Sequence, residues 1–237
     1  MTREQQRAVL SLMENDASLV PGARDYLLRA LFESLIRRSA PPMMRLKDLG
    51  SIKGGGTPST SNDDNFASDG HIWVTPPDLR DMEDIRVKTS RRTLTDAGLR
   101  ASSAQLLPVG SVLFSSRAPI GYVGIAGTQL STNQGIKSLI PDTMVDPEYV
   151  YCYLTAYAPL IQGRAPGVTF KEVSARQFGE ISIPLPTIEE QHDLARGALA
   201  LIAICRSLRK SLEERDRISS DLKAQLIQTG LYLPDQR

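Results

Sequence analysis

The chain has 237 residues, 41% hydrophobic and 23% charged, with a formal net charge of +1. That is enough for one well-buried domain with an appendage, or for two small domains, and the composition excludes wholesale disorder. It also excludes a polycation: residues 46–186 hold 13 basic and 14 acidic side chains, so a nucleic-acid face would have to gather its positive charge locally, away from acids such as Asp78, Asp81, Glu83 and Asp84.

The first region, residues 1–42, has a helical pattern. Ala8, Val9, Leu12 and Met13 form one short stripe, Val20-Pro21-Gly22 reads as a break, and Leu28, Leu31, Phe32, Leu35 and Ile36 form a second stripe. Ala40-Pro41-Pro42 reads as a linker. The middle region, residues 43–186, is mixed α+β. Its short apolar runs Ile72-Trp73-Val74, Ser111-Val112-Leu113-Phe114 and Tyr122-Val123-Gly124-Ile125-Ala126 are bounded by Gly and Pro, as strands are. Thr95 to Arg100 and Pro147 to Tyr157 read as helices.

The third region, residues 187–237, reads as one long helix. Thr187-Ile188-Glu189-Glu190 supplies a capping box, and no strong breaker follows before Gly230. Leu194, Leu201, Leu208 and Leu222 share one heptad position, with Ala198, Cys205, Leu212 and Leu226 on its partner; Arg215 and Ser219 interrupt the seam. The narrow stripe and charged flanks favour a protruding coiled coil over a helix folded back on the domain. The expected dimerisation or partner seam is Leu194, Leu201, Leu208, Leu212, Leu222 and Leu226.

Catalytic sets fail at each usual entry. The histidines are His71 and His192, and no G-x-S-x-G elbow accompanies them. Gly54-Gly55-Gly56 lacks the Lys-Ser/Thr of a P-loop and the spacing of a dinucleotide fold. Thr75-Pro76-Pro77-Asp78 lacks the stacking aromatic of a base-flipping pocket and reads as a turn. Cys152 and Cys205 have no CxxC spacing, which points to a reducing, cytoplasmic setting and to neither a disulfide framework nor a metal site. The polar start Met1-Thr2-Arg3-Glu4 and the absence of a long apolar run give no expectation of a signal peptide or a membrane span.

Recognition fits better. Two loops, Gly54-Gly55-Gly56-Thr57-Pro58-Ser59-Thr60 and Phe114-Ser115-Ser116-Arg117-Ala118-Pro119-Ile120-Gly121, combine small residues, hydroxyls and one Arg. Hydroxyls, backbone N–H groups and Lys suit phosphates, whereas Arg, Asn and Gln suit base edges. The candidate DNA contacts are Thr57, Ser59, Thr60, Arg91, Arg92, Ser115, Ser116, Arg117, Asn133, Gln134, Lys137, Thr169 and Lys171. Arg117 stands first among them, because Pro119 and Gly121 would hold it on a rigid tip. For any one of these residues, ordinary surface charge is the competing explanation. A coiled-coil adaptor whose globular end binds protein, or a split-gene remnant without DNA reading, stays open as the alternative, and the low net charge favours it.

The same strings, with Ile72-Trp73-Val74-Thr75-Pro76, Leu107-Pro108-Val109-Gly110, Thr132-Asn133-Gln134-Gly135-Ile136-Lys137 and Ile183-Pro184-Leu185-Pro186, closely resemble the target-recognition domain of type I restriction-modification specificity subunits over about residues 44–230. The resemblance implies a mixed α/β recognition globule with long helices paired as an antiparallel coiled-coil spacer. It implies a non-catalytic subunit that reads one half of a bipartite duplex DNA target and docks methyltransferase subunits, with restriction subunits as further partners. The methyl donor and ATP would belong to those partners, and no cofactor to this chain. With one recognition domain where the family pattern has two, the chain looks like a half-size specificity subunit that pairs as a homodimer.

Overall fold

The structure, a computed structural model, describes residues 16–117, 119–163 and 172–228, without the side chains of 226 and 227. The helix α1 (Val20–Ser39) leads into β1 (Met43–Arg45) and β2 (Gly50–Gly54). Next come β3 (Phe66–Ala67), β4 (His71–Val74), α2 (Pro76–Asp81), β5 (Arg86–Val87), β6 (Thr93–Leu94) and α3 (Asp96–Arg100). After them follow β7 (Val112–Ser116), β8 (Ile120–Ala126), β9 (Ser131–Thr132), β10 (Ile136–Pro141) and α4 (Pro147–Gly163). The short α5 (Ala175–Gly179) and β11 (Ser182–Pro184) precede the long α6 (Ile188–Gln228).

The centre is a five-stranded sheet in the order β2-β10-β7-β8-β5. Its middle strand, β7, is buried on both faces, and side-chain alternation explains how. Val112 and Phe114 point into a core shared with α1, α4 and α6, whereas Leu113 points into a second core with Val74, Leu79, Leu130 and Ile136. A second sheet, β3-β6-β4-β9, carries Trp73 and Leu94 into a smaller cluster. The expected strands at 72–74, 111–114 and 122–126 are β4, β7 and β8, each at or within a few residues of the expected bounds.

Two local expectations are corrected. Val20-Pro21-Gly22, expected between helices, is itself the first turn of α1, since a proline there has no N–H to leave unpaired. Thr75-Pro76-Pro77-Asp78 is the capped start of α2: Asp78 accepts from the Thr75 amide at 2.8 Å, and the prolines occupy the first turn.

The helix α1 is not a separate body. Leu28, Phe32 and Leu35 of α1 lie in the main core, and the Phe32 ring meets Tyr149 and Tyr153 of α4 edge-on at 5.5 and 5.1 Å. Leu31 and Ile36, expected on the same stripe, stay on the surface. The segment holding Ala8, Val9, Leu12 and Met13 lies outside the described residues.

The long helix starts as its capping box predicts, with the Glu190 amide donating to Thr187 Oγ1 at 3.4 Å and the Thr187 amide to Glu190 Oε2 at 3.3 Å. Its 41 residues extend about 60 Å at 1.5 Å per residue. The near half is packed, which corrects the expectation of a seam free for a partner. Ala195, Ala198 and Ile202 enter the main core with Leu194 and Leu201 against it, and Cys205 and Leu212 pack with Val20 of α1, Leu208 beside them. The start of α1 meets the middle of α6, and the end of α1 joins the core reached by the start of α6, so the two run antiparallel within one chain. Beyond Leu212 the helix is exposed, Leu222 included. The Leu226 side chain lies outside the described residues.

Gln191 fixes the base of this helix. Its Nε2 donates to Pro186 O at 3.0 Å and to Met144 O at 3.2 Å, and its Oε1 accepts from the Asp146 amide at 2.9 Å. Tyr149 and Tyr153 of α4 donate their hydroxyls to Pro184 and Ser182 of β11 at 2.6 and 3.1 Å.

Candidate nucleic-acid interface

Three loops separated in sequence meet at one end of the central sheet. Register explains the meeting: β10 pairs Lys137 with Gly54 at the end of β2, and Ile136 with Ser115 near the end of β7. On the other side, β4 pairs Val74 with Thr132 of β9, so the segment Thr132–Lys137 is shared by both sheets.

The glycines allow the contact. A side chain on Gly55 would collide with the backbone oxygens of Thr132 and Asn133, and one on Gly56 with the backbone at Ser103 and Ala104. The Gly56 amide donates to Thr132 O at 2.9 Å. Trp73 Nε1 donates to Gly56 O at 3.0 Å, tying the loop to the second sheet. Thr57, held at the surface by this arrangement, donates its hydroxyl to Gln134 Oε1. Asn133 Oδ1 accepts from the Gly135 amide at 3.0 Å, which shapes the turn that presents Gln134.

The second loop adds the charge. Arg117 follows β7, and its Nε is near Gly135. Gly121, at φ +107°, occupies a backbone region that favours glycine, and a side chain there would strike Ala158. Arg117 bridges Glu172 in the backbone, and the Glu172 carboxylate lies 4.0 Å from Arg117 Nη1 and 3.6 Å from Lys137 Nζ. Lys137 is only 8% exposed and donates to Gln134 O at 2.8 Å. Burial pushes its ammonium pKa down, and Glu172 works against that shift.

Of the expected contact residues, Thr57, Arg117, Asn133, Gln134 and Lys137 are thus brought together. Ser59 and Thr60 continue the same loop at the surface, with Ser59 Oγ 2.9 Å from Ser61 Oγ. Ser115 and Ser116 are corrected: both are fully buried. Ser115 Oγ donates to Pro119 O at 2.9 Å and accepts from the Tyr122 amide, and Ser116 Oγ donates to Gly135 O at 3.1 Å. Their hydroxyls brace the loop from inside. Arg91 is held by Asp78 and Asp81, and Arg92 stacks over the Phe66 ring at 3.6 Å. Thr169 and Lys171 lie outside the described residues. Glu172 and Trp73 were not among the expected site residues: Trp73 was read only as part of the Ile72-Trp73-Val74 run, and Glu172 carries no local motif, because its partners are distant in sequence.

His71 bonds Asp96 at 2.7 Å, and His192 lies 3.9 Å from Asp146. Among the described residues no group of three or more His, Cys, Asp or Glu could hold a metal ion, and no helix is long and apolar enough to cross a membrane.

Residues 42–214 match the family model of the type I restriction modification DNA specificity domain. The chain belongs to that family. It is 34% identical over 183 residues to the type I restriction enzyme MjaIX specificity subunit of Methanocaldococcus jannaschii, covering 75% of this chain and 41% of the relative. Over 150 residues it is 31% identical to the HindI specificity subunit of Haemophilus influenzae, covering 62% and 32% respectively. Its fold is similar to the crystal structures of the HsdS subunit of Thermoanaerobacter tengcongensis (TM-score 0.57, 18% identity, 88% of this chain and 53% of that one) and of the S subunit from M. genitalium (TM-score 0.57, 15% identity, 99% and 58%). The chain therefore spans about two fifths of the length of the first of these relatives.

Proposed function

We propose that this chain is the sequence-reading element of a type I restriction-modification system, binding duplex DNA and leaving the chemistry to other subunits. The observation that carries the reading is the convergence of Thr57, Gln134, Arg117 and Lys137 from three loops onto one sheet end. Thr57, Gln134 and Arg117 reach the surface there from loops anchored on the sheet, with Lys137 of β10 buried beneath them. A balanced net charge is compatible with this, because phosphate binding depends on local rather than total charge.

One such head reads a few base pairs, each mismatch costing roughly 1–3 kcal/mol, which suits half of a bipartite target. A homodimer would supply the second half. Since the near half of α6 is occupied by α1, association falls to the distal turns, where Ile218 and Leu222 are 57% and 54% exposed. Methyltransferase subunits, and restriction subunits with them, would dock on the helices, in the cytoplasm.

Fluorescence anisotropy with labelled duplexes across a salt series tests the reading. Binding should weaken steeply with salt, and Arg117→Ala with Lys137→Ala should lower affinity. Affinity indifferent to salt and to both substitutions would leave the protein-binding adaptor as the better account.

A further inference from the structure

Glu172 is placed where a carboxylate needs a reason. It lies among the cations of the loop end, and DNA phosphates would repel it. What the major groove of a duplex offers an acceptor are exocyclic amines, cytosine N4 and adenine N6.

Three observations make Glu172 a built feature. Its position is inherited from β7, through the bridge to Arg117 and the Val173 amide that donates to Ser116 O at 2.8 Å. Its contacts to Lys137 and Arg117, at 3.6 and 4.0 Å, are long for hydrogen bonds, so its oxygens keep accepting capacity. Its side chain is 44% exposed, whereas that of Lys137 is 10% exposed and committed to Gln134 O. Lys137 thus faces inward, and Glu172 faces out.

We infer that Glu172 is a specificity-determining residue whose carboxylate accepts a hydrogen bond from the exocyclic amine of cytosine or adenine, with Lys137 and Arg117 holding it in place. This rests on the DNA reading proposed above and adds the class of base that is read.

Selection of bound duplexes from a randomised library, by the full chain and by Glu172→Ala and Glu172→Gln, tests the inference. In the parent, one motif position should prefer a single amine-bearing base, and the selected base tells cytosine from adenine. In the alanine variant that position should lose roughly tenfold of its discrimination. The glutamine variant keeps an acceptor oxygen, so it should retain part of the preference while binding random duplex more tightly. Should the alanine variant melt early, Glu172→Met, which keeps the bulk, replaces it. An unchanged motif overturns the inference, whether affinity for all duplexes rises by one common factor or stays as it was. A parent chain that selects no motif at all removes the DNA reading itself, which is a different failure.

Discussion

The indole N–H of Trp73 and the carbonyl of Gly56 form a buried hydrogen bond of 3.0 Å that joins the two sheets behind the loop cluster. Trp73→Phe would keep most of the apolar contact and strand that carbonyl. A buried acceptor without a donor costs about 1–3 kcal/mol. Urea denaturation should show that loss, and DNA affinity should fall with it because Thr57 is carried by the same loop. A variant of parental stability would mean that the bond contributes little.

Gly55 and Gly54 are neighbours with opposite tolerance. A methyl group on Gly55 meets the backbone oxygens of Thr132 and Asn133, which cannot swing aside, while one on Gly54 meets nothing within 4 Å. Gly55→Ala should cost roughly 2 kcal/mol or more, and Gly54→Ala should stay within about 0.5 kcal/mol of the parent. Equal effects in paired denaturation curves would contradict the close approach described here.

Burial raises the Asp25 carboxyl above its ordinary 3.8, with Arg24 pulling the other way. A carboxyl raised in the folded state contributes stability that is present below the unfolded pKa and lost as pH rises through the folded one. Asp25→Asn should therefore be more stable than the parent at pH 7, by no more than about 1 kcal/mol since the Arg24 pair is lost. The gap should close as pH falls towards 3.8. Denaturation at pH 7 and pH 4 checks both halves; a less stable asparagine variant at pH 7 would show that the pair outweighs the burial.

The two halves of α6 should respond differently. Leu212 is buried against α1, so Leu212→Ala should lower stability by about 2–3 kcal/mol and leave the oligomeric state alone. Ile218→Lys with Leu222→Lys should do the reverse, leaving melting nearly unchanged and reducing self-association in sedimentation. Loss of self-association in the Leu212 variant alone would place the proposed contact in the near half.

What could be read from sequence was local. The capping box at Thr187 and Glu190 foretold the start of α6, and the short apolar runs bounded by Gly and Pro foretold β4, β7 and β8. What failed depended on distant partners. The heptad stripe of α6 reads the same whether Leu212 meets a second chain or Val20 of its own. Ser115 and Ser116 look like surface hydroxyls until Pro119 and Gly135 are seen to use them. Glu172 has no motif at all; its meaning comes from Arg117 and Lys137, which only strand pairing brings to it. Prolines misled twice in the same way, because at Val20-Pro21 and Thr75-Pro76-Pro77 they open helices.

Gln191 has a mechanical consequence. Its three bonds reach Pro186, Met144 and Asp146, and the neighbouring phenols of Tyr149 and Tyr153 grip the strand just before. The joint is a weld, with no swivel at its base. A torque applied to the far tip of α6 is delivered to α4 and the sheet lying on it, so the loops of Thr57, Arg117 and Gln134 turn as one solid with the shaft that carries them.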